Sequence, residues 1–233
     1  MTKLADTPLR MGRSFDAVVF DFGGVLITPM AGKIAEVAAR HGVEPDVLQD
    51  ILLGPREASS DHPWHRAERG EVAYRDLQGM LTPVAAAAGI AFEGDELKRV
   101  LATGYTPVDP VVDRIGALRA AGYRTALLTN SLREFRVRLE AMVDFGLFDV
   151  IVDSSEVGLR KPDAAIYELV TGRLGVPPSR ILYLDDFAHN LGPAAAIGWS
   201  VVHVLDSATA IRQLDLLLEP QPATAGNDEG GGL

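Results

Sequence analysis

The stretch Ala17-Val18-Val19-Phe20-Asp21-Phe22-Gly23-Gly24-Val25-Leu26 sets the reading of the chain. A short apolar run ends at a carboxylate, and a glycine pair follows. A run of that length suits a strand buried on both faces. Asp21 stands at its end, and Gly23-Gly24 permits a tight turn with unusual backbone angles beyond it. Four later runs repeat the texture: Thr125–Leu128, Val150–Val152, Ile181–Leu184 and Val201–Leu205. Helical patterns separate them. Asp109 reads as the N-cap of a helix over Pro110–Ala121 that closes at Gly122, and Asp163 as the cap of a helix over Ala164–Leu174 that stops at Gly175. Strand and helix in alternation predict an α/β fold, a doubly wound parallel sheet, whose ligands bind beyond the carboxyl ends of the strands.

Between the first run and the second the texture changes. Ile34–His41, Asp46–Leu53, Ala67–Ala88 and Asp95–Leu101 read as helices with no strand among them. Residues 29–107 are therefore expected to form a small all-helical cap inserted after the first strand, with residues 15–28 and 108–218 forming the core. Residues 1–14 are polar and aperiodic, and are expected to be loose. Residues 219–233 are rich in glycine, proline and acid, and read as a disordered tail.

Composition bounds the class. The 233 residues are 47% hydrophobic, enough for a sizeable core, and carry a net charge of −10. That charge argues against sequence-independent nucleic-acid binding through phosphates. An anionic substrate would need a local positive cluster, since the overall field repels it. No cysteine is present, so disulfides and thiolate metal sites are excluded. The apolar runs are strand-sized, not membrane-sized. The start lacks the apolar stretch of a signal peptide. The expectation is a cytoplasmic protein with no nucleic-acid or membrane partner.

Four polar pieces fall at or just beyond the apolar runs: Asp21 with Gly23-Gly24; Thr129-Asn130-Ser131; Arg160-Lys161-Pro162-Asp163; and Asp185-Asp186 through Asn190. Two adjacent acids at a strand end repel each other unless a cation is near. Mg²⁺ favours oxygen ligands from one or two carboxylates, with waters and substrate phosphate completing its shell. Asp186 is expected to bind the ion directly, Asp185 through water, and Asn190 to brace the acidic loop; Pro193 fits if the next helix starts near Gly192. The Gly23 carbonyl can face the same crevice. Thr129 and the amides near Asn130 suit phosphate oxygens, and Lys161 supplies a point charge. Singly each piece is ordinary turn or loop chemistry. Together, in this order, they suit metal-assisted attack of the Asp21 carboxylate on a phosphate ester.

At these pieces, and at Gly146-Leu-Phe-Asp149, Ser154-Ser-Glu-Val-Gly158, Ile166-Tyr167, Trp64 and Arg69-Gly-Glu-Val72, the chain resembles the haloacid dehalogenase (HAD) superfamily. The similarity spans about residues 15–210, and is to the helical-cap branch that includes the phosphatase domain of soluble epoxide hydrolase and bacterial sugar-phosphate phosphatases. The resemblance implies a Rossmann-like core and a phosphoric monoester hydrolase. It implies Asp21 as nucleophile, Mg²⁺ on Asp21, the Gly23 carbonyl and Asp186, and Thr129, Asn130 and Lys161 on the phosphate of a small substrate. Gly23 departs from the pattern, because phosphatases of the superfamily usually carry an aspartate there that protonates the leaving alcohol. Either His62, His65 or Arg66, which read as surface loop residues, supplies that function, or good leaving groups such as anomeric or acyl phosphates are preferred. A catalytically weak or inactive phospho-ligand-binding relative and a 2-haloacid dehalogenase are the alternatives. His41, His189 and His203 read as helix-end, loop and strand residues.

Overall fold

The computed structural model describes residues 13–92, 94–101 and 104–219. Five strands form one parallel sheet: β1 (Ala17–Phe20), β2 (Arg124–Thr129), β3 (Val150–Asp153), β4 (Ile181–Asp185) and β5 (Ser200–His203), in the order β3-β2-β1-β4-β5. The chain builds outward from β1 to β2 and β3, then crosses back to β4 and β5 on the other side. β1 and β4 therefore flank the point where strand order reverses, and Phe20 sits in register with Leu184.

Alternation along β1 shows why both faces are apolar. Val18 and Phe20 join Leu127, Leu182 and Leu184 in one core, covered by α6 (Asp109–Ala120) and α11 (Ser207–Leu218). Ala17 and Val19 join Ala126, Leu128, Val152 and Tyr183 in the other, covered by α9 (Ala164–Leu174) and α10 (Ala188–Ala196). Successive side chains of a strand point to opposite faces, so a strand covered twice reads as a continuous apolar run.

The segment between β1 and β2 carries α1 (Ala31–His41), α2 (Pro45–Leu53), α3 (Pro63–Glu68), α4 (Tyr74–Ala87) and α5 (Glu96–Leu101) around a third core of Ile34, Val37, Leu48, Leu52, Trp64, Leu77, Leu81 and Leu97. It leaves and returns at one place: Val108 N–H donates to Leu26 C=O at 2.8 Å, and Thr28 N–H to Thr106 C=O at 3.0 Å. Two short helices, α7 (Arg136–Met142) and α8 (Ser154–Val157), complete the described elements used below.

Several expectations are corrected. The single helix over Ala67–Ala88 is two: Pro63 starts α3, Gly70 turns the chain at φ 71°, and Glu134 accepts from the first N–H of α4, that of Tyr74, at 2.9 Å. Asp109 is the first residue of α6 and not its cap. Asp163 precedes α9 but makes no side-chain cap bond. The next helix starts at Ala188, not near Gly192, so Pro193 lies inside it and His189 is helical. The tail expected over 219–233 falls outside the described residues beyond Glu219. Of the N-terminal segment, residues 13 and 14 are described, and Arg13 lies over the Tyr123 ring at 4.1 Å.

Candidate active site

Asp21 continues the β1–β4 ladder, its N–H donating to Leu184 C=O at 2.9 Å. That places its carboxylate beside those that follow β4. Lys161 reaches the same point from the loop between α8 and α9. Its Nζ lies 2.6 Å from Asp21 Oδ1 and 2.8 Å from Asp185 Oδ2, and the residue is only 2% exposed. Asn130 fixes that loop from the end of β2. Its side-chain oxygen accepts from Lys161 N–H at 2.8 Å, and its amide donates to Lys161 C=O at 3.0 Å. The Asn130 side chain thus holds both backbone groups of Lys161. Thr129, buried at the strand end, lines the cavity beside it.

The two acids after β4 differ in their surroundings. Asp185 is fully buried and saturated: it accepts from Lys161, from the Tyr183 hydroxyl, from Phe187 N–H at 2.7 Å, and from the Asn190 amide at 3.1 Å. Asp186 has one carboxylate oxygen, Oδ1, buried with no hydrogen-bond partner among the described residues. Asp21, Asp185 and Asp186 each offer an oxygen, and these lie within 4.8 Å of one another.

Burial, reinforced by Asp185 and opposed by Lys161, pushes Asp21 up to about 7. Burial, then the Asp21 and Asp185 charges, pushes Asp186 up to about 8. Burial works against charge on Lys161, but Asp185 and Asp21 outweigh it and raise its pKa. Three carboxylates thus face one ammonium, a buried set short of positive charge. The donor set is hard oxygen, as a divalent cation of the Mg²⁺ or Ca²⁺ type requires. The unpartnered Asp186 Oδ1 fits that ion, with an oxygen of Asp21 within the same 4.8 Å cluster. Gly24 brings the backbone against it: φ is 72°, and a Cβ there would fall 2.0 Å from Asp186 Oδ2.

Above these groups is a cavity of about 450 Å³. Asp21, Gly23, Thr129, Lys161 and Asp186 line its base, and Met30, Ile34, Gln49, Trp64 and His65 of the helical segment line it opposite. The reading of His65 as a surface loop residue is corrected. It is 1% exposed, because Pro63 and Trp64 open α3 and turn the imidazole inward. Its Nδ1 accepts from Ser60 N–H at 3.1 Å, and burial, then the Arg160 charge, lower it to about 3. His62 accepts from Trp64 N–H as the cap of α3, and Arg66 pairs with Glu71 at 3.2 Å. His203 Nε2 lies 3.0 Å from the Asp186 carbonyl oxygen, and His41 Nε2 lies 3.7 Å from Glu96.

Two features escape sequence reasoning. Tyr183 reads as a core residue, and only its distance to Asp185 shows a polar role. Glu68 of α3 pairs with Arg160, 92 positions later, at 2.7 Å, both buried, while Trp64 Nε1 donates to the other Glu68 oxygen at 2.7 Å. The pair joins the helical segment to the residue before Lys161. No local spacing signals it.

The model of the haloacid dehalogenase-like hydrolase family matches residues 15–198. The chain belongs to that family of hydrolases. It is 32% identical over 214 residues to acyl-CoA dehydrogenase family member 10 of Mus musculus, covering 89% of this chain and 19% of that protein. It is 27% identical to bifunctional epoxide hydrolase 2 of Rattus norvegicus, covering 84% and 37%. It therefore spans well under half the length of these two relatives. It is 30% identical over 156 residues to (S)-2-haloacid dehalogenase 1 of a Pseudomonas species, covering 64% and 68%. A predicted HAD-like hydrolase from Porphyromonas gingivalis superposes with a TM-score of 0.65 at 20% identity, covering 89% of this chain and all of that one. A HAD enzyme from Bacteroides thetaiotaomicron in complex with magnesium and inorganic phosphate superposes at 0.58 with 17% identity, covering 81% and 93%. Both structures share the Rossmann-like fold.

Proposed function

We propose that the protein is a Mg²⁺-dependent phosphatase of a small phosphorylated metabolite, working through an aspartyl-phosphate on Asp21. The observation that carries this reading is the excess of buried carboxylate over cation: Asp21, Asp185 and Asp186 against Lys161, with Asp186 Oδ1 unpartnered. A nucleophilic carboxylate alone needs no second and third acid, whereas a metal site does. Asp21, Asp186 and the Gly23 carbonyl would hold the ion, and bound Mg²⁺ would neutralise charge on the transferring phosphoryl oxygens. Lys161 neutralises the nucleophile and aligns it. Thr129 and the backbone near Asn130 bind phosphate. Asp185 and Asn190 hold Lys161 and the acidic loop in place. Such catalysis is mostly positioning and electrostatic stabilisation, which a buried, preorganised site provides. Residues 29–107 act as a cap that excludes bulk water and selects the leaving group.

A second reading, a 2-haloacid dehalogenase, has its own observation: Gly23 provides no acid, and departing halide needs none. The dehalogenase relative fits it equally. The deciding experiment sets phosphate release from a panel of phosphorylated metabolites against halide release from (S)-2-chloropropionate, each with Mg²⁺ and with chelator. Phosphate release that chelator abolishes supports the phosphatase. Halide release that persists in chelator supports the dehalogenase. Stabilisation by Mg²⁺ and phosphate without any turnover would make the protein a phospho-ligand-binding relative.

A further inference from the structure

When a phosphoryl group is transferred, the departing oxygen keeps the electron pair of the broken P–O bond. An alkoxide must gain a proton as it leaves; a carboxylate or phenolate need not. All but one of the acid groups around the cavity are engaged elsewhere. Gly23 has no side chain, and a Cβ there would meet nothing within 4 Å. His65 accepts Ser60 N–H on Nδ1, gives its own ring N–H to the Leu53 carbonyl, and sits deep beside Arg160. Glu68 accepts from Trp64 on one oxygen and Arg160 on the other. Asp46 is exposed and paired with Arg56 at 3.3 Å. His189, at the start of α10, is the remaining imidazole on the cavity, and burial lowers its affinity for a proton. One buried cation on the cavity is only half engaged: Arg160, 5% exposed, gives Nε to Glu68, and its Nη1 has no partner among the described residues.

We propose that the site is built for phosphate compounds whose leaving group departs as a stable anion, acyl phosphates foremost, with Arg160 receiving the released carboxylate. This rests on the phosphatase reading and narrows its substrate class. Asp21 forms a bond to phosphorus, and the P–O bond to the acyl oxygen breaks with its pair staying on the carboxylate, so no proton moves. Water then adds to phosphorus, the pair of the Asp21–phosphorus bond returns to Asp21, and the protons of water leave with the inorganic phosphate.

The test measures kcat/KM with Mg²⁺ for acetyl phosphate, aryl phosphates of rising phenol pKa, and ethyl phosphate. It uses the native chain, Gly23→Asp, Gly23→Asn as a control of similar size, Arg160→Lys and His189→Gln. The native protein should lose more than about 10²-fold from acetyl to ethyl phosphate, the usual scale of general-acid help. Gly23→Asp should recover part of that loss on ethyl phosphate alone, and Gly23→Asn none. Arg160→Lys should lower kcat/KM for acetyl phosphate more than for the aryl series. A native kcat/KM independent of leaving group overturns the proposal. So does a dependence that appears only in His189→Gln, which would make His189 the acid. Equal losses in Arg160→Lys on both series remove the arginine's part. If no compound in the series is turned over while the metabolite panel releases phosphate, this proposal fails and the phosphatase reading stands; if neither releases phosphate, the phosphatase reading itself fails.

Discussion

Gly23 and Gly24 are neighbours with opposite constraints. A Cβ at Gly23 meets open space, while one at Gly24 would overlap Asp186 Oδ2 with φ at 72°. Gly24→Ala should therefore displace Asp186 and abolish thermal stabilisation by Mg²⁺, whereas Gly23→Ala should keep it; calorimetry with and without the ion separates them. Asp21→Asn should stop turnover and leave the melting temperature equal or higher, because a buried carboxylate is replaced by an amide that still bonds Lys161. Unchanged turnover in this variant would remove Asp21 as nucleophile. The residues of the acidic pair were legible because two acids at a strand end conflict with local electrostatics, and such conflicts mark sites. The Asn130 clamp and the Tyr183 hydroxyl were not. Asn is ordinary turn chemistry and Tyr an ordinary core residue, and only three-dimensional proximity gives them partners.

At the scale of elements, the strands announced themselves and the helical segment did so less well. A strand buried on both faces leaves no choice of side chain, so Ala17–Phe20 and Ile181–Leu184 appear as unbroken apolar runs. The α3–α4 break is set by Gly70 and by Glu134, a residue of the distant core, and the second of these is invisible locally. The Glu68–Arg160 pair is the clearest case of structure added by folding. Removing one partner of a buried pair typically costs about 3–5 kcal/mol, because the other charge is left uncompensated. Arg160→Met should destabilise on that scale in urea unfolding, and the double variant Glu68→Gln/Arg160→Met should regain much of it. A double variant as unstable as the single would mean the two side chains do not act as a pair.

For the whole molecule, the acidic centre ties stability to pH and metal. Asp21 and Asp186 hold protons in the metal-free fold up to about 7 and about 8, against an ordinary value of 3.8. Through these two groups the native state binds more protons than the unfolded chain, which lowers stability as pH rises. Buried His65, lowered to about 3, works the other way below the ordinary histidine value of 6.5, so the metal-free melting temperature should decline from about pH 6.5 to 8. The stabilisation by Mg²⁺ should grow over the same range, because the ion needs the deprotonated carboxylates. A metal-free protein whose stability rose with pH across that window would contradict the burial of these groups. No described helix is long and apolar enough to cross a membrane, consistent with the strand-sized runs of the sequence.

In the phosphatase proposed above, Asp21 carries the phosphoryl group beside the metal site. The most direct measurement is mass spectrometry of the Asp21 peptide after rapid acid quench of the Mg²⁺-loaded protein mixed with acetyl phosphate in ¹⁸O-water. The account predicts a phosphorylated Asp21 that is absent with chelator, and ¹⁸O in the released phosphate but not in the Asp21 carboxylate. No phosphorylated Asp21 under any condition, together with ¹⁸O entering Asp21 during metal-independent turnover of a 2-haloacid, would contradict it.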